Sequence, residues 1–254
     1  MSAPSFSLQN RVAFVTGSTT GLGKALALAL GKAGAKVAMN YHNSRPRAEA
    51  AFALLQEAGV VSQLVRGDVT DEAEIGRMMA EVAAGLGPVD ILVLNATCAQ
   101  PQKPIEEYDW AFCQSMLDFF VKSPFLMTQA CLPHMKAQRW GRIINIGSEV
   151  VARGVSRFTA YVAAKGAQNG FHRSLATELA PDGITVNMIS PGWIPVERHD
   201  NDSQQMKDDY QRLIPMGHFG VPADLGGAAV FLASEAASFV TGQNLHINGG
   251  ITTQ

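Results

Sequence analysis

The sequence has little cysteine and no long hydrophobic run, and both absences limit what the protein can be. Its three cysteines, Cys98, Cys113 and Cys131, form no CxxC motif and cannot all pair with one another. They predict reduced thiols in a cytoplasmic protein rather than a disulfide framework. No apolar run approaches the ~18–20 residues of a membrane span. The opening residues MSAPSFSLQNR lack a basic start and an apolar core, so no signal peptide is expected.

The sequence also lacks a strong excess of either charge. Its 20 basic and 22 acidic residues leave a net charge of −2. This balance gives no reason to expect nucleic acid or an anionic membrane surface as a partner. The six histidines are scattered without metal-ligand spacing, so no metal site is expected. Hydrophobic residues make up 47% of the chain and charged residues 17%, as in an ordinary globular protein.

Short apolar runs alternate with longer helical patterns along the whole chain. The predicted strands lie in RVAFVTG, KVAMNY, VVSQLVRGD, VDILVLNA, GRIINIGS, GITVNMIS and GQNLHINGG. Helical patterns separate them, including a long one at about 106–137 and a last one at about 222–234. Strands that are apolar on both faces belong to parallel sheets covered by helices on both sides. The sequence therefore predicts an α/β fold over residues 1–254, a single doubly wound domain around a parallel seven-stranded sheet.

The first strand is followed by a glycine-rich turn, VTGSTTGLGKA, that opens a helix. Gly17, Gly21 and Gly23 stand where a backbone must turn tightly, approach a phosphate and let the helix pack on the strand. Free amides and the positive end of the dipole at a helix start favour an anion such as a pyrophosphate. The turn therefore predicts a dinucleotide site of the Rossmann type, to which Thr20 and Leu22 also contribute.

The end of the second strand bears on which dinucleotide binds. A carboxylate at that point, about 20 residues after the turn, holds the ribose hydroxyls of NAD(H). Here Tyr41 occupies the place, and the next acidic residue is Glu49. The loop offers polar and basic side chains instead: His42, Asn43, Ser44, Arg45 and Arg47. An arginine could meet a 2′-phosphate. We therefore expect NADP(H), with NAD(H) as the alternative.

The stretch FTAYVAAKGA places Tyr161 and Lys165 four residues apart. Its alanines favour a helix, on which this spacing brings both side chains to one face. A free phenol titrates near pH ~10, and a cation within about 4–6 Å lowers that pKa. The pair is therefore a candidate for acid–base catalysis, although such a pair also occurs by chance on solvated helices.

The glycine turn and the Tyr161/Lys165 pair together resemble the classical short-chain dehydrogenase/reductase family, in its 3-oxoacyl-ACP reductase and glucose dehydrogenase-like form. The resemblance extends over essentially the whole chain. It includes DVT at 68–70, LNA at 94–96, and Ser148 thirteen residues before Tyr161. It continues with NMISPGWI at 187–194 and FVTGQNLHINGG near the end. The resemblance implies an NAD(P)(H)-dependent oxidoreductase that interconverts a ketone and a secondary alcohol.

The resemblance also implies a role for individual residues. Tyr161 would be the general acid in ketone reduction and the base in alcohol oxidation. Lys165 would lower the pKa of Tyr161 and hold the nicotinamide ribose, and Ser148 would donate a hydrogen bond to the substrate oxygen. Further contacts to the cofactor are implied for Asp68, Val69, Asn95, Ala96, Pro191, Gly192 and Ile194.

Three positions depart from the pattern of that family. Phe120 stands where an asparagine usually helps to hold a water that links the lysine to solvent, Thr97 replaces a common glycine, and Val196 replaces a common threonine. A broken proton relay would slow turnover, because general acid–base groups contribute typically ~10²–10⁴-fold. The alternative function is therefore an NADP-binding protein with little or no turnover, acting as a sensor or regulatory partner.

The segment 193–218, which begins at the tryptophan of PGW, is rich in charges. It is expected to be a lid over a small-molecule carbonyl or alcohol substrate. The resemblance also implies a homotetramer, with a dimer as the second choice. Its interface would use the long helices at about 106–137 and 157–180. The apolar residues expected there are Phe112, Met116, Phe119 and Phe171.

Overall fold

A computed structural model describes residues 5–253, so part of the opening segment MSAPSFSLQNR lies outside the described residues. The strands are β1 (Val12–Val15), β2 (Lys36–Tyr41), β3 (Ser62–Arg66), β4 (Ile91–Leu94), β5 (Gly141–Ile146), β6 (Ile184–Pro191) and β7 (Asn244–Ile247). They form one seven-stranded sheet in the order β3-β2-β1-β4-β5-β6-β7, and every neighbouring pair is parallel. The predicted α/β class and parallel sheet are confirmed.

Helices cover both faces of the sheet. They are α1 (Gly21–Lys32), α2 (Arg45–Glu57), α3 (Glu72–Gly85), α4 (Trp110–Leu117), α5 (Ser123–Gln138), α6 (Val150–Arg153), α7 (Thr159–Leu179), α8 (Gln204–Gln211) and α9 (Gly226–Ala233). One core layer packs α1, α2 and α9 on the sheet, through residues such as Leu30, Leu55 and Leu232. The other packs α3, α5 and α7, with Met78 and Met127 fully buried.

The long helical region predicted at about 106–137 is confirmed from Trp110 onward, because α4, a π-helical turn and α5 follow one another without a break. Asp109 caps its start by accepting a hydrogen bond from the Phe112 amide at 2.7 Å. A π-helical turn, Asp118–Lys122, then joins α4 to α5. This turn contains Phe120, whose side chain is 1% exposed. No helix among residues 5–253 is long and apolar enough to cross a membrane.

The parallel sheet brings several chain segments to its carboxyl edge. The glycine turn follows β1, Asn95 follows β4, Ser148 follows β5, and Pro191 ends β6. In open α/β sheets, ligands bind in the crevice outside this edge. The fold therefore places residues that are distant in sequence around one crevice.

Candidate active site

The glycine turn has a backbone that larger residues would not fit. Gly17 and Gly21 adopt φ angles of 58° and 49°, in the left-handed region that favours glycine. A Cβ atom on Gly17 would lie 2.9 Å from the Cα of Ala96, after β4. A Cβ on Gly23 would collide with the Asn95 side chain and the Gly17 carbonyl. The turn therefore lies directly against the loop after β4, as the dinucleotide interpretation requires.

Asn40 and Thr16, which the sequence analysis missed, hold this turn in place. Asn40 is buried in β2, accepts a hydrogen bond from the Gly17 amide at 3.0 Å and donates one to the Gly67 carbonyl at 3.0 Å. The Thr16 hydroxyl accepts hydrogen bonds from the amides of Asn95 at 2.8 Å and Ala96 at 2.9 Å. A buried asparagine within the apolar run KVAMNY was a signal that could have been used, because a buried amide needs partners.

The lid segment, which we define as residues 193–218, contacts the start of α1. The Glu197 carboxylate accepts hydrogen bonds from the Gly21 amide at 3.0 Å and the Lys24 ammonium at 2.9 Å. The Val196 side chain lies 3.3 Å from where a Cβ of Gly21 would be. An anion therefore occupies the place at the helix start where a phosphate group fits. Glu197 was not among the predicted cofactor-binding residues.

The residues predicted near the adenosine end lie on neighbouring loops. Tyr41 ends β2, and the exposed His42 and Asn43 lead through Ser44 into α2. After β3, Asp68 accepts hydrogen bonds from the amide and hydroxyl of Thr70, both at 2.8 Å. Val69 is buried in the core. The Arg45 guanidinium, a candidate for a 2′-phosphate, forms an exposed ion pair with Glu49 at 2.8 Å.

Ser148, Tyr161 and Lys165 lie together beyond the end of β5. Ser148 follows β5, and Tyr161 and Lys165 share α7 as expected. A hydrogen bond with Ser148 favours the phenolate of Tyr161, but burial outweighs it and raises the pKa of Tyr161. The Lys165 ammonium lies 5.9 Å from the centre of the Tyr161 ring. The arrangement can present a proton donor and a second hydrogen-bond donor to one substrate oxygen.

Phe120 packs directly against both catalytic candidates. Its ring meets the Tyr161 ring edge to face, with 5.3 Å between centres. The Lys165 nitrogen lies 3.9 Å from the centre of the Phe120 ring, which is a cation–π distance. Burial lowers the pKa of Lys165 to about 7. The side chain at this departure from the family pattern is therefore an apolar wall of the site rather than a water-binding group.

The lid segment is fastened to the residue next to Ser148. Tyr210 of α8 donates a hydrogen bond to the buried Glu149 carboxylate at 2.6 Å and accepts one from the Trp193 amide at 2.6 Å. Trp193 also meets the rings of Tyr210 and Phe219 edge to face. Exposed Arg198 lies close enough to Tyr161 for its charge to favour the phenolate. These contacts bring an aromatic cluster and a cation next to Glu149 and Tyr161.

The remaining predicted residues lie at the end of β6 and in the loop after β4. Pro191 and Ile194 are buried, and the Gly192 amide donates to the Ile247 carbonyl at 3.0 Å. Exposed Thr97 hydrogen-bonds with the Gln100 side chain. Among the described residues, no group of three or more His, Cys, Asp or Glu side chains could hold a metal ion.

Comparison with known proteins identifies the family. A family model described as enoyl-(acyl carrier protein) reductase matches residues 17–252. The chain belongs to the short-chain dehydrogenase/reductase family. A curated member from Staphylococcus aureus, a 3-oxoacyl-[acyl-carrier-protein] reductase, is 37% identical over 94% of this chain and 97% of its own length. Members of the short-chain dehydrogenase/reductase family interconvert ketones and secondary alcohols with a nicotinamide cofactor, and this chain is an oxidoreductase of that kind.

Solved structures of family members superpose closely on this chain. One is a gluconate 5-dehydrogenase from Burkholderia cenocepacia in complex with NADP and tartrate. It has a TM-score of 0.91 and 31% identity, covering 99% of this chain and 98% of its own. Another is a 3-oxoacyl (acyl-carrier-protein) reductase from Agrobacterium tumefaciens with NADP bound. Its TM-score is 0.89 at 34% identity, covering 96% of this chain and 95% of its own. The matched relatives give no support to the alternative without turnover.

Proposed function

We propose that this chain reduces a carbonyl compound with NADPH, or oxidises the matching alcohol with NADP⁺, through Ser148, Tyr161 and Lys165. The observation that carries the proposal is that Tyr161 hydrogen-bonds with Ser148 and has its ring centre 5.9 Å from the Lys165 nitrogen, beyond the end of β5 at the carboxyl edge of the sheet. That juxtaposition suits hydride transfer, because it brings a proton donor to the crevice in which a dinucleotide fits.

The residues around the turn fit a dinucleotide. The Gly21 amide at the start of α1 donates to the Glu197 carboxylate, which supports the proposal that an anionic phosphate group fits there. Tyr41 in place of a carboxylate removes the charge that would repel a 2′-phosphate. The two solved relatives whose structures contain NADP support the same preference over NAD(H).

Side chains of the protein would carry out the proton transfer. The cofactor supplies the hydride when bound. Tyr161 would donate its phenolic proton to the carbonyl oxygen, which completes the alcohol. Ser148 donates a hydrogen bond that positions this oxygen, and the Lys165 cation stabilises the phenolate left behind.

The substrate class follows from the lid segment. Arg198 introduces a cation near Tyr161, and Trp193 introduces an aromatic surface. A substrate that carries a carboxylate, phosphate or other anionic group beside its carbonyl suits this pairing. Closure of the lid segment over such a substrate would exclude water from the reacting atoms.

A cytoplasmic homotetramer is the proposed assembly. Exposed apolar side chains on the α4 and α5 helices support association, with Trp110 72% and Phe125 46% exposed. Met116 is excluded from the expected interface, because it is 1% exposed and packs within this chain's own core. Light scattering on the purified protein would give the number of subunits.

The proposed reaction is tested by following oxidation of NADPH and NADH by the purified protein. The carbonyl panel would contain 3-oxoacyl thioesters, keto acids derived from sugars, and neutral ketones as the control for the anionic group. We expect turnover with NADPH well above turnover with NADH, and anionic carbonyls ahead of neutral ones. Equal turnover with both cofactors would contradict the NADP(H) preference.

A further inference from the structure

The Lys165 ammonium has a protein group on each of three sides. Its nitrogen donates to the Ile146 carbonyl at 2.6 Å and to the side-chain oxygen of Gln168 at 2.9 Å. The Phe120 ring lies on a further side, 3.9 Å away. An ammonium has three donors and no acceptor. The described contacts are therefore enough to engage the whole group without a water molecule.

Gln168 is itself fixed in one orientation. It lies three residues after Lys165 on α7 and is 1% exposed. Its amide nitrogen donates to the side-chain oxygen of Asn145, which is fully buried in β5, at 3.4 Å. This weak hydrogen bond turns the oxygen of Gln168 toward Lys165. The family resemblance assigns no role to Gln168.

A narrow crevice lies beside Gln168. It is lined by Thr16, Ala96, Phe119 and Ser123 among others, and is too narrow to admit a water molecule. On the other side, the Phe120 ring covers the Lys165 nitrogen. Lys165 is consequently enclosed by protein groups on these two sides.

We propose that Gln168 is a positioning residue for the reaction: its side-chain oxygen keeps Lys165 charged and in place, while Phe120 shuts the ammonium off from solvent. Lys165 then acts as a fixed cation beside Tyr161 rather than as a link in a proton chain. This inference rests on the proposed function in giving Lys165 a role in catalysis. The proton that Tyr161 donates must return from the substrate side of the crevice.

The charge of Lys165 is the quantity to measure. Burial lowers the pKa of Lys165 to about 7, and an acceptor at hydrogen-bond distance opposes that fall. The other titratable groups facing it do not change charge between pH ~6 and ~9. Burial raises the pKa of Cys98 to about 11, and burial raises the pKa of Tyr161.

The first experiment needs no turnover. Urea unfolding of the whole protein without cofactor is compared for wild type and Gln168→Leu across pH ~6 to ~9. In the unfolded chain Lys165 is charged throughout this range, since its pKa is near 10.4. Gln168 contributes to the wild type only while Lys165 is charged, so the difference between the two proteins shrinks above the folded pKa of Lys165 and is greatest below it, where the variant must bury a cation without its acceptor. The gap in urea midpoint should therefore widen as pH falls.

Thr128→Val is the matched control, because Thr128 is also buried on a helix of the same layer and has a hydroxyl without a hydrogen-bond partner among residues 5–253. The difference in urea midpoint between Thr128→Val and wild type should stay constant with pH. A Gln168→Leu gap that is equally constant would overturn the proposal, whether or not a substrate has been found.

The second experiment uses the active enzyme and the pH profile of kcat/KM. If protonated Lys165 is required, Gln168→Leu should move the alkaline limb to lower pH by about one unit, the worth of a hydrogen bond to a charged group. Gln168→Glu, which adds a negative charge, should move the limb to higher pH. Opposite shifts support a positioning role. Loss of rate without any shift in either variant would show that Gln168 serves packing alone.

Discussion

The Glu197 carboxylate joins the lid segment to the glycine turn across 176 residues of sequence, with 3.0 Å to the Gly21 amide and 2.9 Å to the Lys24 ammonium. A diphosphate at the start of α1 would need the same donors. With the cofactor placed as proposed, the lid segment and the cofactor would compete for one place. Entry of the cofactor would then move Glu197 aside and couple binding to movement of the lid segment.

Glu197→Gln should tighten NADPH binding. Both partners of the ion pair are partly exposed, at 34% for Lys24 and 51% for Glu197, so solvent screens the contact strongly. An exposed pair contributes about 0–1 kcal/mol, which corresponds to a fall in Kd of up to about fivefold. Titration followed by tryptophan fluorescence would measure it. Glu178→Gln, an exposed change on α7, is the control and should leave Kd unchanged.

Tyr161→Phe should remove the chemical step and spare cofactor binding. The variant keeps the ring that packs on Phe120 and loses only the hydroxyl. We expect kcat to fall by about 10²–10⁴-fold, as for loss of a general acid, with little change in the Kd of NADPH. Retained turnover would point to another proton donor. A matching melting temperature would verify that the fold is intact.

Tyr210→Phe should loosen the lid segment. The lost hydrogen bond ends on the Glu149 carboxylate, and bonds to charged groups contribute about 1.5–3 kcal/mol. Burial and Glu149 raise the pKa of Tyr210, so its hydroxyl stays a donor over the whole working range of pH. Trypsin should cut at Arg198, Lys207 or Arg212 at least several-fold faster in the variant. Tyr108→Phe, outside the lid segment, should not change the rate of these cuts.

Acid should destabilise the fold in part through His172. This side chain is fully buried on α7, and burial lowers its pKa. Below the unfolded pKa of about 6.5 the unfolded chain takes up a proton that the folded chain resists, so stability falls by up to about 1.4 kcal/mol per pH unit. Urea unfolding at pH ~7.5 and ~5.5 measures the effect. In His172→Gln the fall in the free energy of unfolding between these two pH values should be smaller than in wild type. An equal fall would show that other groups cause it.

Local patterns were sufficient to predict a sheet of seven parallel strands. Strands such as ILVL in β4 are apolar on both faces, and the glycine turn marks the first crossover. The long helical region at about 106–137 was predicted, but a continuous helical pattern does not reveal the π turn inside it. Asp109, a good N-cap residue, was a readable signal for the start of α4.

Contacts between distant segments could not be predicted in the same way. Glu197 reads as one charge among many in a polar stretch, and its meeting with Gly21 depends on how the lid segment folds back. Gln168 lies near the catalytic pair in sequence, yet its contact with Lys165 depends on the burial of that face of α7. Side-chain type alone gives neither result.

Because Asp118–Lys122 forms a π-helical turn, the direction in which the side chains of this segment point depends on the number of its residues more than on their types. Such a turn holds one residue more than an α-helical turn, so deletion of one residue can restore a regular helix instead of breaking it. Each residue of an α-helix turns the chain by about 100°. A single-codon deletion here would thus give a well-folded protein in which the Phe120 ring no longer faces Lys165.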